Sequence, residues 1–406
     1  MTCRSCQHPL SHTFCNLGTT PLANSYLDRA QLQKPEINFP LHAFVCEHCL
    51  LVQLEAHETP EEIFSDYAYF SSYADTWLSH ARKYAYEIVA RLHLNASHQV
   101  IEIASNDGYL LRYIQEQGIP VLGIEPARNV AQTALDKGIP TRVDFFGVQL
   151  AKALLSEHVR CDLLIANNVL AHVPDLNDFV AGMKLLLSPN GTITLEFHYL
   201  LQLIAKREFD TIYHEHFSYF SLHALMHVFA RHHLTVYDVE MLTTHGGSLR
   251  LYCCHEGRFS PTPRVADLLA LEKKEGLDQI NRYLHFGTEI ETVKNTLLSM
   301  LLQFKREGKR IAAYGAPAKG NTLLNYCGIG PELIEFTVDR NPHKQGKFLP
   351  GSHIPILPPE AIAERKPDIV LILPWNLKDE ISAQLSFVRE YGGQLMIPIP
   401  TPMLLP

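Results

Sequence analysis

The stretch Val100-Ile101-Glu102-Ile103-Ala104-Ser105-Asn106-Asp107-Gly108 joins a short apolar run to a tight polar turn. The apolar run predicts a buried strand, and residues 109–117 behind the turn predict a helix. Further apolar runs follow at a regular spacing, at residues 121–124, 141–143, 163–166 and 191–197. Strands that alternate with helices at this spacing predict a parallel sheet of the doubly wound α/β class.

Polar and acidic residues stand where these predicted strands end. In a doubly wound sheet, the ligand lies beyond the carboxyl ends of the strands. One of these residues, Glu125, follows the first loop by about 20 residues, where a ribose hydroxyl is commonly bound. The strand ends carry Asn106-Asp107-Gly108, Glu125, Asp144-Phe145, Asn167-Asn168 and His172.

The first loop indicates which ligand this crevice takes. Ala104 and Ser105 stand where G-x-G-x-x-G would have its early glycines, and Asp107 adds negative charge near a helix N-terminus. A pyrophosphate needs close backbone approach and a helix N-terminus without that charge. The acidic crevice therefore favours S-adenosylmethionine, a cationic nucleoside, over NAD, and a pocket for another ligand is the remaining alternative.

Two Cys-x-x-Cys pairs lie near the N-terminus, Cys3/Cys6 and Cys46/Cys49. Two such pairs can fold four thiolates into a tetrahedron around zinc. Four sulfurs complete the coordination sphere, so this zinc is expected to stabilise a small fold without taking part in chemistry. Redox-active or unliganded thiols are the alternative. Rival ligands are His8, His12, Cys15 and His48.

The composition of the 406 residues argues against several classes of protein. Apolar residues make up 46% and charged residues 19%, the proportions of folded soluble proteins. A net charge of −8 argues against nucleic-acid binding, which needs clustered Lys and Arg. No apolar run has the length of a membrane span, and the N-terminus lacks the order of a signal peptide. We therefore expect a cytoplasmic protein, a monomer or weak oligomer, whose nine cysteines are thiols or metal ligands.

The run Tyr213-His214-Glu215-His216-Phe217-Ser218-Tyr219-Phe220 follows the fifth strand and combines imidazoles, a carboxylate and phenols. A neutral His is a suitable base because its unperturbed pKa of about 6.5 lies near working pH. Once a hydrogen beside a carbonyl has been removed, Tyr hydroxyls or a second His can donate to the enolate oxygen. Methyl transfer from a sulfonium then neutralises both charges, which a dry aromatic pocket favours.

A second strand, loop and helix begin at residues 310–314 and continue through the loop 315–320. Lys319 and the helix N-terminus are predicted to bind phosphate, with Asn321 at the same helix start. The buried strand 369–373 leads into Trp375, which is predicted to stack on a base. A domain that only braces the first is the alternative. Earlier in the chain, the loop of His245 and Gly246 is predicted either to place its backbone against a ligand or to form a simple hairpin turn.

Several motifs occur in one order along the chain: the paired CxxC, EIASNDGYLL, GIEPA, NNVLAHV, YHEHFSYFS, HGGSLR and YGAPAKGNTLLNY. In this order they resemble the nucleotide-sugar C-methyltransferases that make branched deoxysugars, and the resemblance covers nearly the whole chain. It implies S-adenosylmethionine as methyl donor, structural Zn²⁺, and a nucleotide-linked keto-deoxysugar as acceptor, with dTDP as the expected nucleotide. Its family usually has a glycine where this chain has Ala104.

The resemblance also implies roles for individual residues. His216 is the predicted base, with Glu215 or a neighbour orienting its ring, and Tyr213 and His172 polarise the keto oxygen. Tyr67 is predicted to close the pocket. The predicted cofactor residues are Glu102, Ala104, Asn106, Asp107, Gly108, Glu125, Asp144, Phe145 and Asn168. The predicted substrate residues are His245, Gly246, Lys319, Asn321 and Trp375.

For His214 a structural role is favoured over a chemical one. A metal site made of His214, Glu215, His216 and His172 is a lesser alternative, because this run is heavily aromatic and a hydrolytic metal needs a water-filled opening.

These expectations combine into three domains. Residues 1–65 form a zinc-binding module, residues 66–258 a central class I, Rossmann-like methyltransferase domain, and residues 259–406 a second Rossmann-like domain for the nucleotide sugar. The alternatives from other classes are a non-catalytic zinc scaffold that binds nucleotide sugar and an NAD-dependent oxidoreductase.

Overall fold

The computed structural model describes residues 1–57, 72 and 75–406, apart from the side chains of residues 75, 76 and 245. Its strands are β1 (His12–Thr20), β2 (Phe39–Val45), β3 (Val52–Leu54), β4 (Val100–Ile103), β5 (Val121–Ile124), β6 (Thr141–Arg142), β7 (Cys161–Asn167), β8 (Leu187–His198), β9 (Ser218–Tyr219), β10 (Leu234–Leu242), β11 (Ser248–His255), β12 (Ile311–Tyr314), β13 (Thr337–Val338), β14 (Ile356–Leu357), β15 (Ile369–Ile372), β16 (Gln394–Ile397) and β17 (Met403–Leu404).

The α-helices are α1 (Asp75–Leu92), α2 (Leu111–Gln115), α3 (Arg128–Asp136), α4 (Val148–Ser156), α5 (Leu176–Leu186), α6 (Leu200–Ala205), α7 (Leu222–Arg231), α8 (Pro263–Lys274), α9 (Ile280–Leu284), α10 (Phe286–Arg306), α11 (Ala318–Cys327), α12 (Ala361–Arg365) and α13 (Lys378–Gln384). Short 3₁₀ helices include Leu170–His172, Phe209–Thr211, Thr244–Gly246 and Trp375–Leu377.

The chain divides into two compact units that interleave along the sequence. Unit 1 comprises Met1–Leu10, Cys46–Tyr199 and Phe217–Asp278, and unit 2 comprises Ser11–Val45, Leu200–His216 and Gln279–Pro406. The predicted domains follow one another instead, because a reading along the chain cannot show which distant segments pack together.

Unit 1 contains a seven-stranded sheet in the order β10-β11-β8-β7-β4-β5-β6. The strands from β8 to β6 are parallel, whereas β11 runs antiparallel to both of its neighbours. Strand β4 is buried along its whole length, as expected where both faces of a parallel sheet are covered. The predicted α/β class is confirmed, and the strands lie where the sequence predicted them, although β8 begins earlier, at Leu187.

The two CxxC segments pack onto this sheet within unit 1. Asn177, at the start of α5, donates through Nδ2 to the carbonyl oxygens of Arg4 and Ser5, at 2.9 and 3.0 Å. Arg231, at the end of α7, donates to the Ser5 carbonyl at 2.7 Å. Partly buried hydrogen bonds of this kind tie the N-terminal segment to the helices that flank the sheet.

Unit 2 contains a six-stranded sheet in the order β14-β13-β12-β15-β16-β17, parallel except for β17. The hairpin of β1 and β2 packs against the helices of this unit, with the Phe14 ring stacked on Phe286 at 4.5 Å between centroids. The second α/β domain is therefore confirmed.

Residues 263–306 contain three helices, α8, α9 and α10. Helix α8 has Pro263 in its first turn, where proline's fixed φ suits a helix. The break between α8 and α9 includes Gly276 at φ +82°, in the left-handed region that favours glycine. Among the described residues, no helix combines the length and apolarity that crossing a membrane requires.

Candidate functional site

The four predicted zinc ligands form one cluster in unit 1. Sulfur atoms of Cys3, Cys6, Cys46 and Cys49 all lie within 4.8 Å of one another, and the Cys3–Cys49 and Cys6–Cys46 pairs are 3.5 Å apart. A zinc tetrahedron with Zn–S bonds near 2.3 Å has sulfurs about 3.8 Å apart, so the cluster fits the ion. Hydrogen bonds among the sulfurs lower the pKa of Cys3 and raise the pKa values of Cys46 and Cys49, so without metal the cluster retains protons that zinc binding would release.

The two cysteine pairs lie on equivalent turns. Gln7 donates its N–H to the Cys3 carbonyl, and Leu50 donates to the Cys46 carbonyl, each at 2.9 Å. Both donors have positive φ, +62° and +56°. In both turns the chain reverses at the residue that follows the second cysteine. The two Cys-x-x-Cys segments therefore share the same backbone conformation.

The first loop of the unit 1 sheet follows β4 and turns through three residues with positive φ. Ala104 has φ +55°, Asn106 +50° and Gly108 +75°. A Cβ on Gly108 would lie 2.9 Å from Ile139 Cγ1, so this glycine is required by space as well as by φ. Ala104 occupies a conformation that costs a residue with a Cβ roughly 1–2 kcal/mol, and the loop closes despite the missing glycine.

Glu125 joins this loop to the end of the second strand. Its two carboxylate oxygens accept the backbone N–H groups of Asn106 and Ala127, each at 2.9 Å. Burial raises the pKa of Glu125, and these two hydrogen bonds oppose the rise. The carboxylate therefore fixes the turn as well as facing the crevice.

The crevice is rich in buried acceptors. Burial, and then the charges of Glu125 and Asp107, hold the pKa of Glu102 well above its usual range. Lys137 donates to Asp107 Oδ2 at 2.8 Å. Among the buried acceptor atoms that have no protein partner in the described part of the chain are Glu102 Oε2, Asp107 Oδ1 and Asn167 Oδ1.

Buried acceptors without protein partners are uncommon, because each costs desolvation energy unless a ligand or water satisfies it. S-adenosylmethionine offers what they lack: an ammonium, ribose hydroxyls and a sulfonium charge. The residues present fit this cofactor.

Other predicted cofactor residues lie along the same strand ends. Asp144 and Phe145 are exposed in the segment after β6. Asn168 has φ +53° and donates its N–H to the Glu196 carbonyl at 2.6 Å. Their contact with the cofactor stays a prediction.

Sequence reasoning missed a buried charge cluster at the end of β8. The Glu196 carboxylate accepts hydrogen bonds from Arg250 Nη2 at 2.7 Å and from Thr244 Oγ1 at 3.0 Å, and it contacts His80 Nε2 at 2.9 Å. Burial alone would raise its pKa, but His80 and Arg250 outweigh burial and lower the pKa of Glu196 to about 2. Glu196 and Arg250 stand directly opposite each other on β8 and β11. The available signal was a single carboxylate or guanidinium residue, Glu196 or Arg250, in each of two largely buried strands.

Four further predicted residues lie near these elements or outside the described residues. Gly246 ends the 3₁₀ turn that joins antiparallel β10 and β11, so its loop has the geometry of a hairpin. The side chain of His245, like the whole of Tyr67, lies outside the described residues. His172 ends a 3₁₀ turn after β7 and donates its N–H to the Val169 carbonyl.

The motif of Tyr213, Glu215 and His216 belongs to unit 2. His216 Nδ1 lies 3.0 Å from the carbonyl oxygen of Thr211, and the Tyr213 and His216 rings are 4.0 Å apart between centroids. A carbonyl oxygen only accepts, so Nδ1 carries the hydrogen and the neutral ring has its lone pair on Nε2. The neighbour that orients the ring through Nδ1 is thus a backbone carbonyl.

His214 and Glu215, which lie between Tyr213 and His216, have different surroundings. Glu215 is buried and accepts from Asn24 Nδ2 at 2.6 Å. His214 Nε2 lies 3.2 Å from the Pro40 carbonyl, and its ring meets Phe39 edge-on at 5.9 Å. These contacts of His214 are those of a packing residue.

The predicted phosphate loop of unit 2 precedes α11. Lys319 donates to Asn376 Oδ1, and its Nζ lies 4.3 Å from the Trp375 ring centroid. Burial lowers the pKa of Lys319, and the nearby carboxyl group of Asp210 opposes that change. Asn321 is buried and donates through Nδ2 to the Ala23 carbonyl at 2.6 Å.

Trp375, predicted to stack on a base, is only 6% exposed and has protein partners. Its Nε1–H donates to Asp210 Oδ2 at 2.7 Å, while Lys319 lies against its ring. Base stacking stays a prediction, and the structure adds a second role for the indole. Asp210 was not predicted, because a lone acidic residue in an apolar run carries no motif.

Three family models match successive parts of the chain. Their descriptions are "Putative zinc binding domain" for residues 3–64, "Methyltransferase domain" for residues 77–239 and "C-methyltransferase C-terminal domain" for residues 243–400. The C-methyltransferase NovU of Streptomyces niveus is 36% identical over 408 residues, which cover 99% of this chain and 96% of that protein.

Solved structures also resemble part of the chain. Magnesium protoporphyrin IX methyltransferase from Synechocystis PCC 6803, solved with bound S-adenosylmethionine, is 14% identical, with a TM-score of 0.34 over 45% of this chain and 82% of that one. The PH0226 protein from Pyrococcus horikoshii OT3 is 14% identical, with a TM-score of 0.38 over 48% of this chain and 98% of that one.

The matched models agree with the geometry of unit 1. The protein uses S-adenosylmethionine and structural zinc as its cofactors. The buried acceptors at the strand ends of unit 1 suit S-adenosylmethionine, and the four-cysteine cluster suits zinc. With a relative that is similar from end to end, this chain belongs to the C-methyltransferase family.

Proposed function

We propose that the protein transfers a methyl group from S-adenosylmethionine to a carbon atom of a nucleotide-linked keto-deoxysugar, with dTDP as the nucleotide. The observation that carries this proposal is the hydrogen bond from His216 Nδ1 to the Thr211 carbonyl. It favours the tautomer in which Nε2 accepts a proton, and a carbon atom becomes a methyl acceptor only after it has lost a proton.

The proposed reaction begins with removal of the hydrogen beside the keto group. His216 Nε2 takes that proton, and the electrons of the C–H bond move into an enolate whose oxygen needs a donor. Tyr213, whose ring lies against His216, is the proposed donor within unit 2. The enolate carbon then bonds to the methyl group, the sulfonium becomes a neutral thioether, and His216 releases its proton to water.

Glu215 and the residues of α11 are proposed to hold the sugar nucleotide. Glu215 is buried and keeps a polar partner in Asn24, which suits a carboxylate that binds a sugar hydroxyl. Lys319, near the start of α11, combines a cation with a helix N-terminus, which suits a diphosphate. The roles predicted for His172, Tyr67, His245 and Gly246 remain proposals of the same kind.

Mass spectrometry of the purified protein with S-adenosylmethionine and dTDP-keto-deoxysugars tests this function. We expect a product one CH₂ heavier, and stabilisation in thermal shift by S-adenosylhomocysteine but not by NADH. His216→Ala should lower turnover by about 10²–10⁴-fold while cofactor binding persists.

The matched control is His233→Ala, which removes an exposed histidine paired with Glu256 and should behave as the wild type. Full turnover by His216→Ala would remove His216 as the base. Methylation of none of the keto-sugars would overturn the proposed substrate class.

A further inference from the structure

The 3₁₀ helix Phe209–Thr211, just before the Tyr213–His216 motif, is held by the C-terminal α/β domain of the same unit. The Trp375 indole donates to Asp210 Oδ2 at 2.7 Å, and Thr322 Oγ1 donates to the Ile212 carbonyl at 3.1 Å. The Phe209 ring meets Tyr326 edge-on at 5.2 Å. Two elements distant in sequence, α11 and the 3₁₀ helix Trp375–Leu377, therefore contact Phe209, Asp210 and Ile212.

This same short helix carries the carbonyl that orients the base. His216 Nδ1 donates to Thr211 O at 3.0 Å, and the His216 backbone N–H donates to Tyr213 O at 2.9 Å. The Thr211 side chain donates to the Glu208 carbonyl at 2.6 Å, which closes the turn from within. Since Thr211 lies between Asp210 and Ile212, a displacement of either neighbour moves the acceptor of the His216 ring.

We propose that Asp210, Trp375 and Thr322 are positioning residues for His216, which hold the Thr211 carbonyl where it fixes the imidazole with Nε2 as the proton acceptor. The inference deepens the proposed function, because it rests on His216 as the base. None of the three residues needs to touch the substrate for this role.

The surroundings of Asp210 suit a role in holding position. Its side chain is completely buried, and Oδ1 has no protein partner among the residues that the structure describes. In the described part of the chain, the indole N–H is the side-chain donor to this buried carboxyl, so its loss should weaken the hold on Asp210. Replacing the indole with a phenyl ring keeps most of the packing and removes that donor.

The test compares steady-state kinetics of the full-length protein with ¹⁵N-histidine NMR, in which His216→Ala identifies the His216 signals. The variants are Trp375→Phe and Thr322→Val, each of which removes one donor. Because misplacement of a reacting group by about 1 Å costs on the order of 100-fold, we expect kcat to fall by about 10- to 100-fold with little change in KM for S-adenosylmethionine. The NMR signals of His216 should lose the Nδ1–H tautomer.

Two matched variants separate positioning from general damage to the fold. Thr322→Ser keeps the hydroxyl that donates to the Ile212 carbonyl, so its kcat should match that of the wild type and exceed that of Thr322→Val. Tyr326→Phe keeps the ring that meets Phe209 and should match the wild type. Unchanged kcat and an unchanged His216 tautomer in both donor variants would overturn the inference, as would an effect confined to KM.

The NMR measurement distinguishes failure of this inference from failure of the proposed function. If the wild type methylates no keto-sugar but Trp375→Phe still changes the His216 tautomer, the proposed substrate is wrong and the positioning role stands. If the wild type is active and the donor variants keep both turnover and tautomer, positioning is wrong and the proposed function stands.

Discussion

Glu196 in unit 1 and Asp210 in unit 2 are both carboxyl groups with no exposed surface, yet their pKa values move in opposite directions. The pKa of Glu196 falls to about 2, whereas that of Asp210 rises to about 7. Burial acts on both in the same direction, since it penalises the charged form. The difference must therefore come from their partners.

Glu196 is in direct contact with a permanent cation and with a histidine. Arg250 donates to it at 2.7 Å, and His80 lies at 2.9 Å. Asp210 instead accepts from the neutral indole of Trp375, while the nearby Lys319 donates to Asn376. A buried carboxyl group is thus charged at pH 7 where a guanidinium contacts it. Where the side-chain donor found among the described residues is uncharged, burial keeps the carboxyl partly protonated at the same pH.

The largest expected effect comes from removing the guanidinium. Arg250→Met should lower the free energy of unfolding by about 3–5 kcal/mol, because the Glu196 charge remains buried after losing its guanidinium partner. Urea denaturation at pH 7 measures this loss. The control is Arg264→Met, whose partner Asp238 keeps Arg91 and which should cost about 1 kcal/mol or less. Equal losses of unfolding free energy in Arg250→Met and Arg264→Met would show that the buried Glu196 charge does not depend on its guanidinium partner.

The next effect is a difference in pH dependence between two isosteric variants. Asp210 has a folded pKa near 7, above its usual 3.8, so the folded state binds more protons between these values and wild-type stability falls as pH rises through this window. Relative to Asp210→Asn, the wild type should lose about 3 kcal/mol between pH 5 and pH 8.

Glu196→Gln should show no such trend over the same range. The folded pKa of Glu196 is depressed to about 2, so its stabilising effect is fully present above about 4.5 and is lost only as pH falls towards 2. Unfolding free energies of the wild type and both variants at pH 5, 6, 7 and 8 test the pair. The difference in unfolding free energy between variant and wild type should change with pH for Asp210→Asn and stay constant for Glu196→Gln. The opposite result for either variant would show that the partners do not set the two protonation states.

The smallest effect is expected for Lys319→Met. At pH 6 Asp210 can respond to loss of this cation by holding its proton more tightly, so stability should fall by only about 1 kcal/mol. Urea denaturation at pH 6, with Arg250→Met measured alongside, compares the two cations. A loss as large as that of Arg250→Met would mean that Asp210 is a charged partner of Lys319 after all.

Local sequence patterns were enough to predict several parts of this molecule. The repeated Cys-x-x-Cys spacing predicted the zinc cluster, because each pair needs only its own turn to bring two sulfurs together. The alternation of apolar runs and helices predicted both α/β domains, because parallel strands are buried on both faces and must be apolar throughout. The acidic residues at the strand ends predicted a site for a cationic cofactor, because the carboxyl ends of parallel strands meet at one edge of the sheet.

Tertiary structure decided the remaining features. Arg250 faces Glu196 only through the register of β8 and β11, and 54 residues separate them along the chain. The orientation of His216 depends on the Thr211 carbonyl, a group that every residue possesses and no motif can mark. Asp210 meets Trp375 across 165 residues. The sequence alone determined which chemical groups the protein carries, and the fold decided which of them are charged and which way they point, since both depend on partners distant in the chain.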